Sequence, residues 1–168
     1  MNVDRQVLRK PRNRGGVEVH NKDEISFPGN PALEGARFPK ILIDTSVWIE
    51  YFRNRSSTLS NKVDEILSKK EVYVPKIVIA ELIQGAKSER EVSIIRDFLE
   101  AFNIIDQTED TWFKAGDLSF NLKRKGKIVN LTDCYIAVIA QENSCQILTL
   151  DEHFKDIQKS LPISLINH

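Results

Sequence analysis

Four short apolar segments of this chain each carry a carboxylate where a soluble domain ordinarily places Val, Ile or Leu, and any fold that accepts them must answer for that charge. Asp44 closes Ile41-Leu42-Ile43, Glu81 interrupts Ile79-Ala80-Leu82, Asp133 opens Cys134-Tyr135-Ile136-Ala137, and Asp151 closes Ile147-Leu148-Thr149-Leu150. Burying an ionised carboxylate without a partner costs several kcal/mol or more. These segments contain no lysine or arginine to pair with it. Four such placements predict a fold that gathers the acids around something cationic, and a divalent metal is the natural candidate.

The pattern around the acids sets the fold class. From Ile41 onward, short apolar runs alternate with helical periodicities, the signature of a parallel sheet covered by helices. Ile41 to Asp44 reads as a buried strand, Val72 to Val74 as a second, Asn103 to Asp106 as a short third, Ile147 to Leu150 as the next of the main series and Ile163 to Ile166 as the last. Leu59, Val63, Ile66 and Leu67 recur at helical spacing between the first two,. Helices are predicted over Ile77 to Ala86, which carries Glu81, through Val92, Ile95, Phe98 and Leu99, and along Trp112, Ala115, Leu118, Ser119 and Leu122, ending near Gly126. The next is predicted to start at Thr132 or Asp133 with Thr132 as its N-cap, and a short one to span Asp151 to Ile157.

The 168 residues, 41% hydrophobic, suffice for one ordinary domain,. Residues 1–39 differ from the rest: Arg5, Arg9, Lys10, Arg12 and Arg14 cluster early, Gly15-Gly16 follows, and Pro28, Pro31 and Pro39 punctuate a stretch without sustained periodicity. They are expected to form a disordered N-terminal extension, either a basic arm for RNA or a leader with no structural role, followed by one domain over 40–168. Lys plus Arg (24) balance Asp plus Glu (24), which excludes the strong global positive charge of a nonspecific nucleic-acid coat,. Cys134 and Cys145 form no CxxC pair and read as packing residues,. No apolar run approaches the roughly 20 residues that span a bilayer, so a soluble, cytoplasmic protein is expected.

In a doubly wound sheet the carboxyl ends of the strands open into one crevice, and Asp44 and Asp151 both stand at such ends. Asp133 at a helix start is favoured by the helix dipole, and Glu81 has the longer reach needed to join from the side. Two carboxylates about 4 Å apart repel by about 4 kcal/mol at an effective dielectric near ~20, so such a group without a cation raises its pKa values or splays. Mg²⁺ or Mn²⁺, which accept all-oxygen ligands, would relieve this. Singly, Asp44, Asp133 and Asp151 each also read as a turn or helix-cap residue. Glu81 does not, because Ile77 and Gly85 occupy its i−4 and i+4 positions.

These residues resemble a known family. Ile41-Leu42-Ile43-Asp44-Thr45-Ser46-Val47-Trp48-Ile49-Glu50-Tyr51-Phe52 is similar to the opening motif of PIN-domain ribonucleases, especially the VapC-type toxins of bacterial and archaeal toxin–antitoxin pairs. Ala80-Glu81-Leu82-Ile83-Gln84-Gly85 resembles the second motif, Asp133-Cys134-Tyr135-Ile136-Ala137 the third, and Leu148-Thr149-Leu150-Asp151-Glu152-His153-Phe154 the fourth. The resemblance covers about residues 40–168. It implies a PIN-like α/β/α fold with a central, mostly parallel twisted sheet, and metal-site acids Asp44, Glu81, Asp133 and Asp151 assisted by the Thr149 hydroxyl. It also implies an Mg²⁺- or Mn²⁺-dependent endoribonuclease leaving 5′-phosphate and 3′-hydroxyl ends, a cognate antitoxin that blocks the groove, and a homodimer.

Outside the acids, Lys123, Arg124, Lys125 and Lys127 form the densest basic cluster of the core. They read either as contacts to RNA phosphates or as a solvated helix C-terminus. Trp48, Tyr51 and Phe52 read as a core or dimer face rather than a base-stacking platform. His153 falls at a variable position of the family's Asp-x-x-Phe pattern and reads as a solvent-facing first-turn residue. Two other functions compete with the nuclease: a PIN-like RNA-binding or scaffolding domain without activity, and a phosphoacceptor domain, either a receiver-like regulator or a phosphatase with Asp44 as nucleophile. The phosphatase version of the latter needs an acid at position 46, where Ser46 stands.

Overall fold

The computed structural model describes residues 39–99 and 102–167. The extension expected over 1–39 therefore lies, apart from Pro39, outside the described residues. Five strands form one sheet: β1 (Lys40–Ile43), β2 (Glu71–Pro75), β3 (Asn103–Ile105), β4 (Gln146–Leu148) and β5 (Ser164–Ile166), in the order β3-β2-β1-β4-β5. The sequence predicts a mostly parallel sheet; all four pairings are parallel. Such a sheet needs helical crossovers, and among the described residues seven helices supply them: α1 (Thr45–Arg53), α2 (Thr58–Lys69), α3 (Lys76–Gln84), α4 (Glu89–Leu99), α5 (Thr111–Arg124), α6 (Leu131–Glu142) and α7 (His153–Gln158). Among the described residues no helix is long and apolar enough to cross a membrane.

The strand order positions the site. The chain lays β2 and β3 on one side of β1, then returns across the sheet to add β4 and β5 on the other. The switch point lies between β1 and β4, where an open α/β sheet offers a crevice at the carboxyl ends of its strands. Ile43 pairs with Leu148, and the Asp44 N–H donates to the Leu148 carbonyl at 3.0 Å, fastening the two strand ends together.

The core is continuous across both faces of the sheet. Ile41, Leu42 and Ile43 are buried between helices, as a central parallel strand requires,. Seven consecutive residues of α6, Cys134 to Ala140, are buried, so this helix is enclosed all round,. Trp48, Tyr51 and Phe52 of α1 are core residues, with the Trp48 ring 5.4 Å from Phe98 and 5.7 Å from Phe102. Cys134 and Cys145 are buried and unbridged, and burial pushes each thiol up to about 11, which suits inert packing,.

Several boundaries and one helix face differ from the sequence reading. α6 begins at Leu131 with Asn130, not Thr132, as N-cap: Asn130 is extended (φ −63°, ψ 147°) and its carbonyl accepts from Cys134 N–H at 3.2 Å. Thr132 and Asp133 thus both sit in the first turn. β4 ends at Leu148 rather than Leu150, because the next backbone groups turn to side-chain hydroxyls described below. On α5, Ala115, Leu118 and Leu122 are buried as predicted, but Trp112 is partly exposed and stacks on Tyr135 at 4.1 Å.

Both α5 and α6 end in the same C-terminal motif with different residues. After α5, Gly126 takes φ +75° while its N–H bonds Lys123 O at 3.0 Å and Lys127 N–H bonds Leu122 O at 2.9 Å. After α6, Ser144 takes φ 56°, with Ser144 N–H on Gln141 O at 3.1 Å and Cys145 N–H on Ala140 O at 2.8 Å. A left-handed residue costs a side chain about 1 kcal/mol that glycine escapes. Gly126→Ala is therefore expected to lose about 1 kcal/mol in urea titration and Ser144→Gly to gain a smaller amount. Equal effects of the same sign would contradict the assignment.

Candidate metal centre

Each of the four acids is presented by a different local device. Asp44 follows β1 and caps α1; it is 5% exposed. Its Oδ2 accepts from the Ser46 hydroxyl at 2.6 Å, the Thr149 hydroxyl at 2.9 Å and, more weakly, Ser46 N–H at 3.4 Å. The hydroxyls in turn hold the β4 exit, since Ser46 Oγ accepts Leu150 N–H at 3.1 Å and Thr149 Oγ1 accepts Asp151 N–H at 3.0 Å. These bonds replace the ladder that β4 would otherwise continue.

Asp133 stands in the first turn of α6, where the helix dipole favours a negative charge,. Burial opposes that. Its side chain is 13% exposed, and its Oδ2 is buried with no hydrogen-bond partner among the described residues. The carboxyl is raised from 3.8 to about 6, first by burial, then by the charges of Asp151 and Asp44, with Glu81 adding and His153 opposing,. That list of neighbours shows that one carboxyl feels the other three. Glu81, half-buried on α3, enters from the side and accepts a hydrogen bond from the Thr45 hydroxyl at the start of α1.

The structure thus brings Asp44, Asp133, Asp151 and Thr149 together closely, with Glu81 contributing the weakest of the charges on Asp133. It also adds residues that the sequence reading did not assign. Thr45 and Ser46 orient two of the acids through their hydroxyls. His153 is not simply solvent-facing: its side chain is 47% exposed, yet Nδ1 lies 3.0 Å from Asp151 Oδ1 and its N–H donates to the same oxygen at 2.8 Å. The signal for Thr45 and Ser46 was a run of two hydroxyls directly after an acid at a strand end. For His153 it was only proximity to Asp151.

The basic cluster divides in two. Lys125 donates to Ser160 at 3.0 Å and Lys127 pairs with Asp156 at 3.1 Å, tying the α5–α6 turn to the α7 region. Lys123 and Arg124 project from the last turn of α5, both exposed, with the Arg124 guanidinium 5.7 Å from the Phe120 ring centre.

Asp133 Oδ2 tests whether a cation fits. A buried carboxylate oxygen without a donor is rare and costly. Here it faces further carboxylates, so the donor set is oxygen-rich and negative, as a hard divalent ion requires,.

Comparison with known proteins agrees with this geometry. The PIN domain family matches residues 41–160. Ribonuclease VapC2 of Haemophilus influenzae is 23% identical over 132 residues, covering 76% of this chain and 97% of that protein. Ribonuclease VapC1 of Methanocaldococcus jannaschii is 26% identical over 121 residues, covering 71% and 82%. Among solved structures, VapBC2 from Rickettsia felis bound to a DNA fragment from their promoter superposes with a TM-score of 0.64 at 25% identity, covering 76% of this chain and 98% of that one. The match over residues 41–160, most of the chain, places this protein in the PIN domain family.

Proposed function

We propose that this chain is a divalent-metal-dependent endoribonuclease of the VapC toxin type, held in check by a cognate antitoxin. The observation that carries the reading is Asp133 Oδ2, buried and unpartnered in a crevice into which three other elements also deliver acids. Asp44, Asp133, Asp151 and Glu81 would hold Mg²⁺ or Mn²⁺, which when bound activates water and offsets charge on the scissile phosphate. Asp44 is pre-oriented for this: Ser46 and Thr149 occupy Oδ2, which turns Oδ1 to the role of ligand. Thr149 acts as a positioning residue, joining Asp44 to the Asp151 backbone through one hydroxyl. Glu81 is steadied by Thr45.

RNA would approach across the turn that opens α6, because Asp133 lies six residues beyond Lys127 on the same stretch of chain. Lys123 and Arg124 are the side chains positioned to meet phosphates, while Lys125 and Lys127 contribute charge from fixed places,. A partner surface is also at hand: Phe113, Phe120 and Ile128 are 76%, 59% and 87% exposed, apolar area that an antitoxin or second copy would cover,.

The phosphoacceptor alternative is disfavoured by Ser46, whose hydroxyl bonds Asp44 where a second acid is required. The receiver version also has the strand order 2-1-3-4-5, which differs from the order here,. An inactive scaffold would have no use for a buried carboxylate left without a donor. Incubation of the purified protein with total cellular RNA, followed by mapping of the cut ends, tests the proposal. Discrete cuts bearing 5′-phosphates are expected, lost in EDTA and restored by Mn²⁺. Cutting that survives complete chelation would refute it.

A further inference from the structure

The acids supply oxygen ligands, but one nitrogen is placed among them. His153 opens α7, and its Nδ1 is 3.0 Å from Asp151 Oδ1 and 3.9 Å from Asp133 Oδ2. A ring nitrogen of His153 and one carboxylate oxygen each of Asp133 and Asp151 lie within 4.8 Å of one another, the spacing of atoms that share one ion. Two further observations point to a ligand there. Asp133 Oδ2 is buried with no hydrogen-bond partner, and the 3.9 Å gap to Nδ1 is too long for a hydrogen bond to serve it,. Asp151 already receives the His153 N–H at 2.8 Å, so the backbone alone orients that carboxylate and the ring is not needed for it.

Resting on the metal-nuclease reading above, we propose that His153 Nδ1 joins Asp133 and Asp151 as a direct ligand of the bound ion, making the centre a mixed nitrogen–oxygen site selective for first-row transition ions over Mg²⁺. The physical reason is ligand character. Mg²⁺ is hard, demands near-ideal octahedral oxygen coordination and gives up water reluctantly. An imidazole ligand favours transition ions, for which nitrogen competes well with water. An all-carboxylate centre draws that distinction less sharply. The other role open to the ring, donation from Nδ1–H to Asp151 Oδ1, would leave the choice of ion unaffected.

The full-length protein, stripped with EDTA, is titrated with Mn²⁺ alone and in competition with Mg²⁺, and the Mn²⁺-loaded protein is examined by electron spin-echo modulation for a directly bound ¹⁴N. The expected result is a ¹⁴N coupling in the wild type that is absent from His153→Asn, whose side-chain oxygen takes the place of Nδ1. The same substitution is expected to weaken Mn²⁺ binding about tenfold, an effect in the range seen when metal surroundings are altered, and Mg²⁺ binding much less. His153→Gln serves as a second variant, and the wild-type spectrum decides the nitrogen question without either. Mn²⁺ binding without ¹⁴N coupling, or an unchanged Mn²⁺/Mg²⁺ ratio in folded variants, overturns the role of His153 and leaves the acid centre standing. Failure of the wild type to bind Mn²⁺ at all overturns the metal reading together with it.

Discussion

Asp133→Asn is expected to lower RNA cleavage by at least about 10²-fold, the scale on which one electrostatic group at a transition state is usually felt, while making the metal-free protein more stable above pH 6. The two effects share one cause. In the folded chain the carboxyl is raised to about 6 from an ordinary 3.8, burial being the main reason and Asp151 and Asp44 the next. Below pH ~4 the group is protonated in both folded and unfolded chains and its burial carries no ionic cost. Between about 4 and 6 the unfolded chain ionises while the folded one stays protonated, so stability falls as pH rises and levels off above about 6,. The full gap is worth about 3 kcal/mol, and screening by water in the groove reduces this to about 1–2 kcal/mol. Asn keeps the shape and never ionises. Urea titrations of both proteins in EDTA at pH 4.5 and 7.5 should therefore diverge more at the higher pH,. A variant that cuts RNA at the wild-type rate would remove the acid centre from the chemistry.

Trp48→Ala is expected to cost about 3–5 kcal/mol, the range for emptying a large aromatic site in a core. Trp48 is fully buried, with Tyr51, Phe52, Phe98 and Phe102 around its ring and its Nε1 donating to Ile43 O at 3.1 Å. That last bond anchors α1 to the end of β1, one residue before Asp44. Small domains are stable by only about 5–15 kcal/mol, so the variant should sit near its unfolding limit at room temperature. Its denaturant midpoint, compared with that of Trp48→Phe, measures the effect. A loss below about 1 kcal/mol would mean that the cavity collapses and that these rings do not hold α1 in place.

Much of the frame was legible because parallel α/β architecture writes itself as alternating periodicity. The strand ending in Asp44, the helix carrying Glu81 and the enclosed helix after Asp133 all followed from apolar spacing. Boundaries were harder where side chains compete with the backbone ladder. β4 stops at Leu148 because the hydroxyls of Ser46 and Thr149 take the next N–H groups, and nothing local to Leu150 announces a partner 104 residues away. Thr132 reads as a good cap by residue type, yet Asn130, of a type at least as good, holds the extended backbone where the helix starts,.

The amino-acid sequence by itself determined that four carboxylates had to be reconciled with apolar surroundings, and that a helix-covered parallel sheet was the means. Only the tertiary structure decided which atoms meet. Sheet order placed the ends of β1 and β4 side by side at the switch point, and the fold left Asp133 Oδ2 buried and without a donor among the described residues. It also turned His153 Nδ1 onto the same acids. The reason is that charge in an apolar run is a local property, visible in composition. Its partners are long-range neighbours, set by how the whole chain packs.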